Sequence, residues 1–330
     1  MATQERKTAV RTKKAKQGTD CYIFEITCNK NVNEFSAIEL VRKGRRYGSI
    51  KAERGRIILT LTLPHCIRAN NIQPFTLADD CEDVRKNICK RLKKSLGKNF
   101  ESKVKSIECN ITQKVSGNAR PSDVLNFLNH ALLSHVHDNL EYSGADRKCK
   151  LKKDIHTVIS KQPHYYTLKA YNKTEEYRKK CKEYGGDVNA IEDNVLRIEI
   201  ILLKRTLERL FGNDTSLYNI LSEKSLKEIM REYKRIYTVE IIDNRIRPYL
   251  SKCKSKLYET LLETNSVAST VAKEREIIPD TEVLCKAIEK WQKEKQVSNH
   301  AARDARQYQK KYDLPQDVIS TLRAFKESCG

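Results

Sequence analysis

The chain reads as an α+β protein: an antiparallel or mixed sheet with flanking helices, followed by an α-helical C-terminal region. Three observations predict this. Short apolar alternations such as CYIFEITC, GRIILTLTLP and VLRIEIILL recur between residues 21 and 203, with the two-residue period of strands that bury one face. Segments with apolar residues every three or four positions stand among them, and beyond about residue 213 only that helical period remains. Strands mixed with helices, then helices alone, is the order expected of α+β layering.

Residues 1–20 are basic and aperiodic and read as a disordered arm, in which Lys13 and Lys14 would track phosphates or simply keep the chain soluble. From Cys21 to residue 213 the pattern predicts one α+β domain. CYIFEITC, RYGSIKAE and GRIILTLTLP are its first strands. LADDCEDVRKNICKRLKKSLG follows as a helix, with Val84, Ile88, Leu92 and Leu96 on one face and Gly97 at its end. KVKSIECNIT is a strand, and Pro121 and Ser122 open a helix over SDVLNFLNHALLSHVHDNL. DIHTVIS and YYTLKAYNK form a hairpin through Lys161 to His164, and NVLRIEIILLKRTLERLFG begins as a strand and ends as a helix at Gly212. Residues 214–330 read as a helical region that helps with recognition or self-association, a homodimer being the assembly allowed for.

Composition narrows the partners. With 39% hydrophobic residues in 330, a sizeable core can form. Lys and Arg total 64 against 43 Asp and Glu, a net charge of +21, which favours a polyanion through counterion release. Nucleic acid is the first candidate, ahead of ribosomes and anionic membrane surfaces. The absence of any apolar run long enough for a membrane span, and of an apolar signal core near the start, predicts a cytoplasmic protein. Eleven cysteines scatter without a CxxC pair, which favours reduced thiols over disulfides or zinc.

Side chains two apart on a strand share a face. Lys169, Tyr171 and Lys173 are thus aligned, as are Arg197 with Glu199, and Glu108 with Asn110. If these strands are neighbours, one open face carries a tyrosine, several cations and at least two carboxylates, the parts of a phosphoryl-transfer site. Carboxylates can hold a divalent ion that neutralises a phosphodiester, cations can stabilise the transition state, and a tyrosine hydroxyl can attack. The bland alternative is an ordinary solvated face, on which a tyrosine between lysines is unremarkable.

TLKAYNKTEE followed by VLRIEIILLKRTLERLFG resembles the paired signature of rolling-circle replication initiators, the filamentous-phage gene II type and related plasmid Rep proteins. The resemblance covers about residues 100–240. It implies that Tyr171 nicks one strand of an origin, staying linked to the 5′ phosphate and freeing a 3′ hydroxyl primer. It matches Lys173 to the motif lysine, Glu176 to the motif glutamate and Arg197 to the arginine beside the last acid. Glu108, Glu176 and Glu199 are the implied ligands of Mg²⁺ or Mn²⁺. Lys169 is expected to touch DNA. Glu108 stands where the family commonly has Asp. The implied partners are double-stranded origin DNA, single-stranded DNA, and a host helicase and polymerase.

Two other readings compete. His135-Val136-His137 has the spacing of relaxase metal motifs and would be served by Tyr165 or Tyr166, with Lys169 four residues beyond Tyr165. On a helix, however, side chains two apart diverge by about 200°. A non-catalytic origin-binding or regulatory protein is the other, its support being the arm and a helix-turn-helix over ARDARQYQKKYD and LPQDVISTLRAF. An RNA-binding reading rests on charge alone.

Overall fold

The computed structural model describes residues 17–29, 31–32, 35–68, 72–133, 139–142, 157–185, 187–296 and 299–329. Among them, nine strands form one sheet: β1 (Gln17–Cys28), β2 (Ile38–Arg42), β3 (Arg45–Glu53), β4 (Arg56–Thr62), β5 (Phe100–Lys114), β6 (Asn139–Tyr142), β7 (Thr157–Gln162), β8 (Tyr166–Asn172) and β9 (Val195–Leu202). Their order is β2-β3-β4-β1-β5-β9-β8-β7-β6, and every pairing is antiparallel. The α+β expectation holds, with the sheet antiparallel throughout the described residues.

The helices are α1 (Leu63–Ile67), α2 (Cys81–Leu96), α3 (Pro121–Leu133), α4 (Lys173–Tyr184), α5 (Lys204–Phe211), α6 (Leu217–Ile220), α7 (Glu223–Arg235), α8 (Arg247–Thr264), α9 (Val267–Glu274), α10 (Thr281–Glu294), α11 (Ala301–Tyr312) and α12 (Val318–Ser328). A π-helical stretch, Ile236–Ile246, joins α7 to α8. Local chemistry sets the ends. Asp80 caps α2 by accepting from the Asp83 amide at 2.9 Å, and Gly97 closes it at φ 97°.

One face of the sheet is apolar. Tyr22, Phe24, Ile107, Cys109, Ile111, Leu168, Ala170, Ile198 and Ile200 are buried on it, and helices cover it because alternation leaves a continuous greasy surface there. Tyr233 of α7 donates to the Ile198 carbonyl at 3.1 Å, and Tyr237 of the π-helical stretch donates to the Leu322 carbonyl at 3.3 Å. Thr321 of α12 accepts from the Ser116 amide at 2.9 Å. A second, smaller core lies among α8, α9, α10 and α11, built on Leu257, Leu261, Leu284 and Ile288.

Several expectations need correction. β1 begins at Gln17, so the last residues of the supposed arm are strand; Lys13 and Lys14 lie outside the described residues. β2 went unread because IELVR alternates weakly at a sheet edge. The helix from Pro121 is described only to Leu133, and Asn139–Tyr142 is strand, not its continuation. His135 and His137 lie outside the described residues. The change at residue 213 is one of element type rather than packing, since α6, α7 and α12 contribute to the same core as the sheet. The second helix of the supposed helix-turn-helix, α12, buries Val318, Leu322 and Phe325 in that core and leaves Arg323 exposed on its other face.

A chain cut after residue 213 is therefore expected to lose near-UV circular dichroism and cooperative unfolding. In the intact chain, Phe325→Ala should cost about 3–5 kcal/mol in urea denaturation; a loss below about 1 kcal/mol would mark α12 as a loose appendage.

Candidate functional site

The opposite face of the central strands carries the polar cluster, and the register assembles it. β9 sits between β5 and β8, so Arg197 lies opposite both Thr112 and Tyr171, and Glu199 opposite both Asn110 and Lys169. The sequence-predicted alignment of Lys169, Tyr171, Arg197 and Glu199 on one face is what the structure shows. Glu108, two residues before Asn110, is a diagonal neighbour of Glu199 on that face.

A β-bulge adds a residue that alternation alone does not offer. β1 pairs with β5 at Thr19↔Cys109 and next at Tyr22↔Ile107, so Asp20 and Cys21 together face the single residue Glu108. Strict alternation from Tyr22 would put Asp20 among the core residues; the bulge turns it to the polar face. There its Oδ2 takes the Nη1 of Arg197 at 3.0 Å.

Arg197 is fully buried and its donors are committed. Nε donates to Thr112 Oγ1 at 2.7 Å, and Nη2 to the Ile72 carbonyl at 2.9 Å. Ile72 belongs to a strap whose next residues bridge β1: the Thr19 and Phe75 amides each donate to the other's carbonyl at 2.8 Å. Gly18 permits that approach, because a Cβ there would lie 2.2 Å from the Phe75 oxygen. Arg197 is thus a charge held behind the site. Its guanidinium faces Asp20 and, at 3.8 Å, Glu199 Oε1.

Tyr171, 6% exposed, donates its hydroxyl proton to Glu199 Oε1 at 2.5 Å. Lys169 Nζ stands 4.6 Å above the Tyr171 ring and 3.3 Å from Glu199 Oε2. With its side chain 36% exposed, Lys169 reaches from this cluster to solvent. Asn172 ends β8 and caps α4, accepting from the Glu175 amide at 3.3 Å, so Lys173 begins the helix with Nζ 5.8 Å from the tyrosine ring. Lys173 Nζ is also 2.8 Å from Glu176, which Lys180 pairs from the following turn. Glu176 is thereby joined to the two lysines, and the carboxylates that gather around Glu199 are Asp20 and Glu108.

The ionisations reflect this crowding. Burial, then the charges of Glu199 and Asp20, push the Glu108 carboxyl up to about 8. Burial also raises Asp20, against the opposing pull of Arg197. Burial raises the Tyr171 hydroxyl, while burial and then Arg197 bring the Lys173 ammonium down to about 8. Although burial opposes it, Lys173 and Lys180 hold Glu176 below the usual carboxylate range.

No family model matches the chain, and no curated protein matches it. A solved structure is similar in part. It is a rolling circle replication initiator protein from Geobacillus stearothermophilus, 12% identical, with a TM-score of 0.34 over 67% of this chain and 84% of that chain. At that identity and score, the functional reading rests on the site's own geometry.

Asp20, Thr112 and the Ile72 carbonyl are the parts that sequence reasoning missed. Tyr165, 41% exposed, lies at the start of β8 beside Arg205, and Tyr166 is buried opposite Leu202, three residues beyond Glu199. Neither shares the Tyr171 cluster. Among the described residues no three His, Cys, Asp or Glu side chains converge as a metal site. The donor chemistry nonetheless fits a hard divalent cation held by two carboxylates and water, the usual arrangement for Mg²⁺. Burial and then its acidic neighbours raise Glu108, and Glu199 Oε2, 3.3 Å from Lys169 Nζ, accepts no hydrogen bond.

The sign of the Glu108 effect follows from linkage. Its folded pKa near 8 exceeds the ordinary 4.5, so between those values the folded chain holds the proton that the unfolded chain has lost, and stability falls as pH rises. With chelator present, Glu108→Gln is expected to unfold at a higher temperature than the parent, by a margin that grows from about pH 5 to about pH 8.5. A margin independent of pH would contradict the crowded-acid account.

Proposed function

We propose that this protein nicks one DNA strand by transesterification to Tyr171 and initiates rolling-circle replication. The observation that carries the reading is the short hydrogen bond from the Tyr171 hydroxyl to Glu199 within a cluster of three acids and three cations. A tyrosine with a raised pKa is a poor nucleophile unless a base takes its proton as it attacks. Glu199 is in place to do so.

In the proposed reaction the Tyr171 oxygen bonds to the scissile phosphorus, its proton passes to Glu199, and the bond to the 3′ oxygen breaks. The products are a 5′-phosphotyrosyl link and a strand end that becomes a 3′ hydroxyl by taking a proton. Lys173, titrating near 8, is suited to give that proton or to balance the added charge. Lys169 meets the phosphate from the solvent side. Arg197, through Asp20 and Glu199, orients the base rather than the substrate. Mg²⁺ or Mn²⁺ on Glu108 and Glu199 would supply charge neutralisation at the phosphate. Glu176, the third ligand that the family resemblance implies, sets the position of Lys173.

Tyr171→Phe is expected to abolish the covalent link to DNA while leaving DNA binding and the folded state nearly intact, read on denaturing gels and by gel shift. Glu199→Gln should slow formation of the link by about 10²–10⁴-fold. Equal loss of binding and linkage in Tyr171→Phe would contradict the assignment.

A further inference from the structure

The strap that holds Arg197 on the polar face continues, through Thr76, Leu77 and Ala78, to a groove of about 560 Å³ on the helix-backed side. Gln17, α7 and the end of α12 complete it. Lys227, Arg231 and Lys234 of α7 line it, spaced so that one helix face carries all three. No Asp or Glu lines it. The larger groove of about 780 Å³ near Phe100 mixes Lys93, Lys98 and Lys103 with Glu101, Glu208 and Asp214, and has no such bias.

Lys227 pairs with Glu223 at 2.6 Å and Arg231 with Glu228 at 2.9 Å, both on the exposed helix surface, where ion pairs are weak enough to yield to a polyanion. Lys234 has no carboxylate partner among the described residues. The sixteen residues before Gln17 carry Arg6, Lys7, Arg11, Lys13, Lys14 and Lys16 against Glu5 alone. Gln17, the next residue in the sequence, lines the groove, and its Nε2 donates to the Met230 carbonyl at 2.9 Å.

We infer that this groove docks the phosphate backbone of duplex DNA flanking the strand to be nicked. It rests on DNA as the substrate in the proposed function, but not on the chemistry of Tyr171. Duplex is favoured over single strand because no aromatic side chain lines the groove to stack a base.

The test uses the full chain carrying Tyr171→Phe, with a labelled mixed-sequence duplex and one of its single strands, across a sodium chloride series. Lys227→Gln with Lys234→Gln should lower the slope of log affinity against log salt by about 2 for the duplex. Lys293→Gln with Lys295→Gln, exposed at the end of α10 and outside the groove's lining, serves as the charge control and should leave the slope unchanged. An unchanged slope in the groove pair, equal loss in the control pair, or equal loss on the single strand would overturn the inference. If the parent chain forms no tyrosyl link while the groove pair still lowers the slope, the nicking reading falls and the groove stands.

Discussion

A guanidinium buried in the middle of a sheet constrains everything around it. Arg197 has no exposed surface, and removing a charge from water costs several kcal/mol unless partners surround it. The fold supplies them from three directions: Asp20 from the bulge of β1, Thr112 from β5, and the Ile72 carbonyl from the strap. The strap is held in turn by the Thr19–Phe75 bridge across Gly18. Without this enclosure Asp20 would lose its ion-pair partner and Glu199 the guanidinium 3.8 Å from its Oε1.

The remaining side chains divide the work according to how far they stand from solvent. Arg197 and Asp20 are sealed in and orient Glu199. Glu199 touches the tyrosine hydroxyl, and Lys169 reaches outward over the ring. Lys173 links the cluster to α4 through Glu176. Two groups in this small volume, Glu108 and Lys173, titrate near 8, one an acid pushed up and the other a base pulled down. Groups this strongly shifted by burial and neighbouring charge, gathered in one small volume, mark a candidate functional site.

Much of this was legible from alternation. Once 166–172 and 195–202 are strands, Lys169 and Tyr171 must share a face, as must Arg197 and Glu199, and the register then makes them neighbours. Asp20 was hidden because a bulge inserts one residue and reverses the face, and nothing in GTDCYIF marks where that happens. The partners of Glu176 were hidden for a related reason: motif spacing gives distance along the chain, whereas the turn into α4 at Asn172 decides direction, and it points this acid at two lysines. The helical region was legible as helices but not as part of the sheet's core, because periodicity shows that a face is apolar without showing what covers it.

The central claim is that one tyrosine, the one hydrogen-bonded to Glu199, carries the DNA. It is tested most directly by incubating the intact protein with supercoiled DNA of its own replicon and Mg²⁺ or Mn²⁺, digesting the product, and locating the nucleotide-bearing peptide by mass spectrometry. The account predicts a phosphotyrosyl adduct on Tyr171. An adduct on Tyr165 or Tyr166, or tight binding with no adduct, would contradict it.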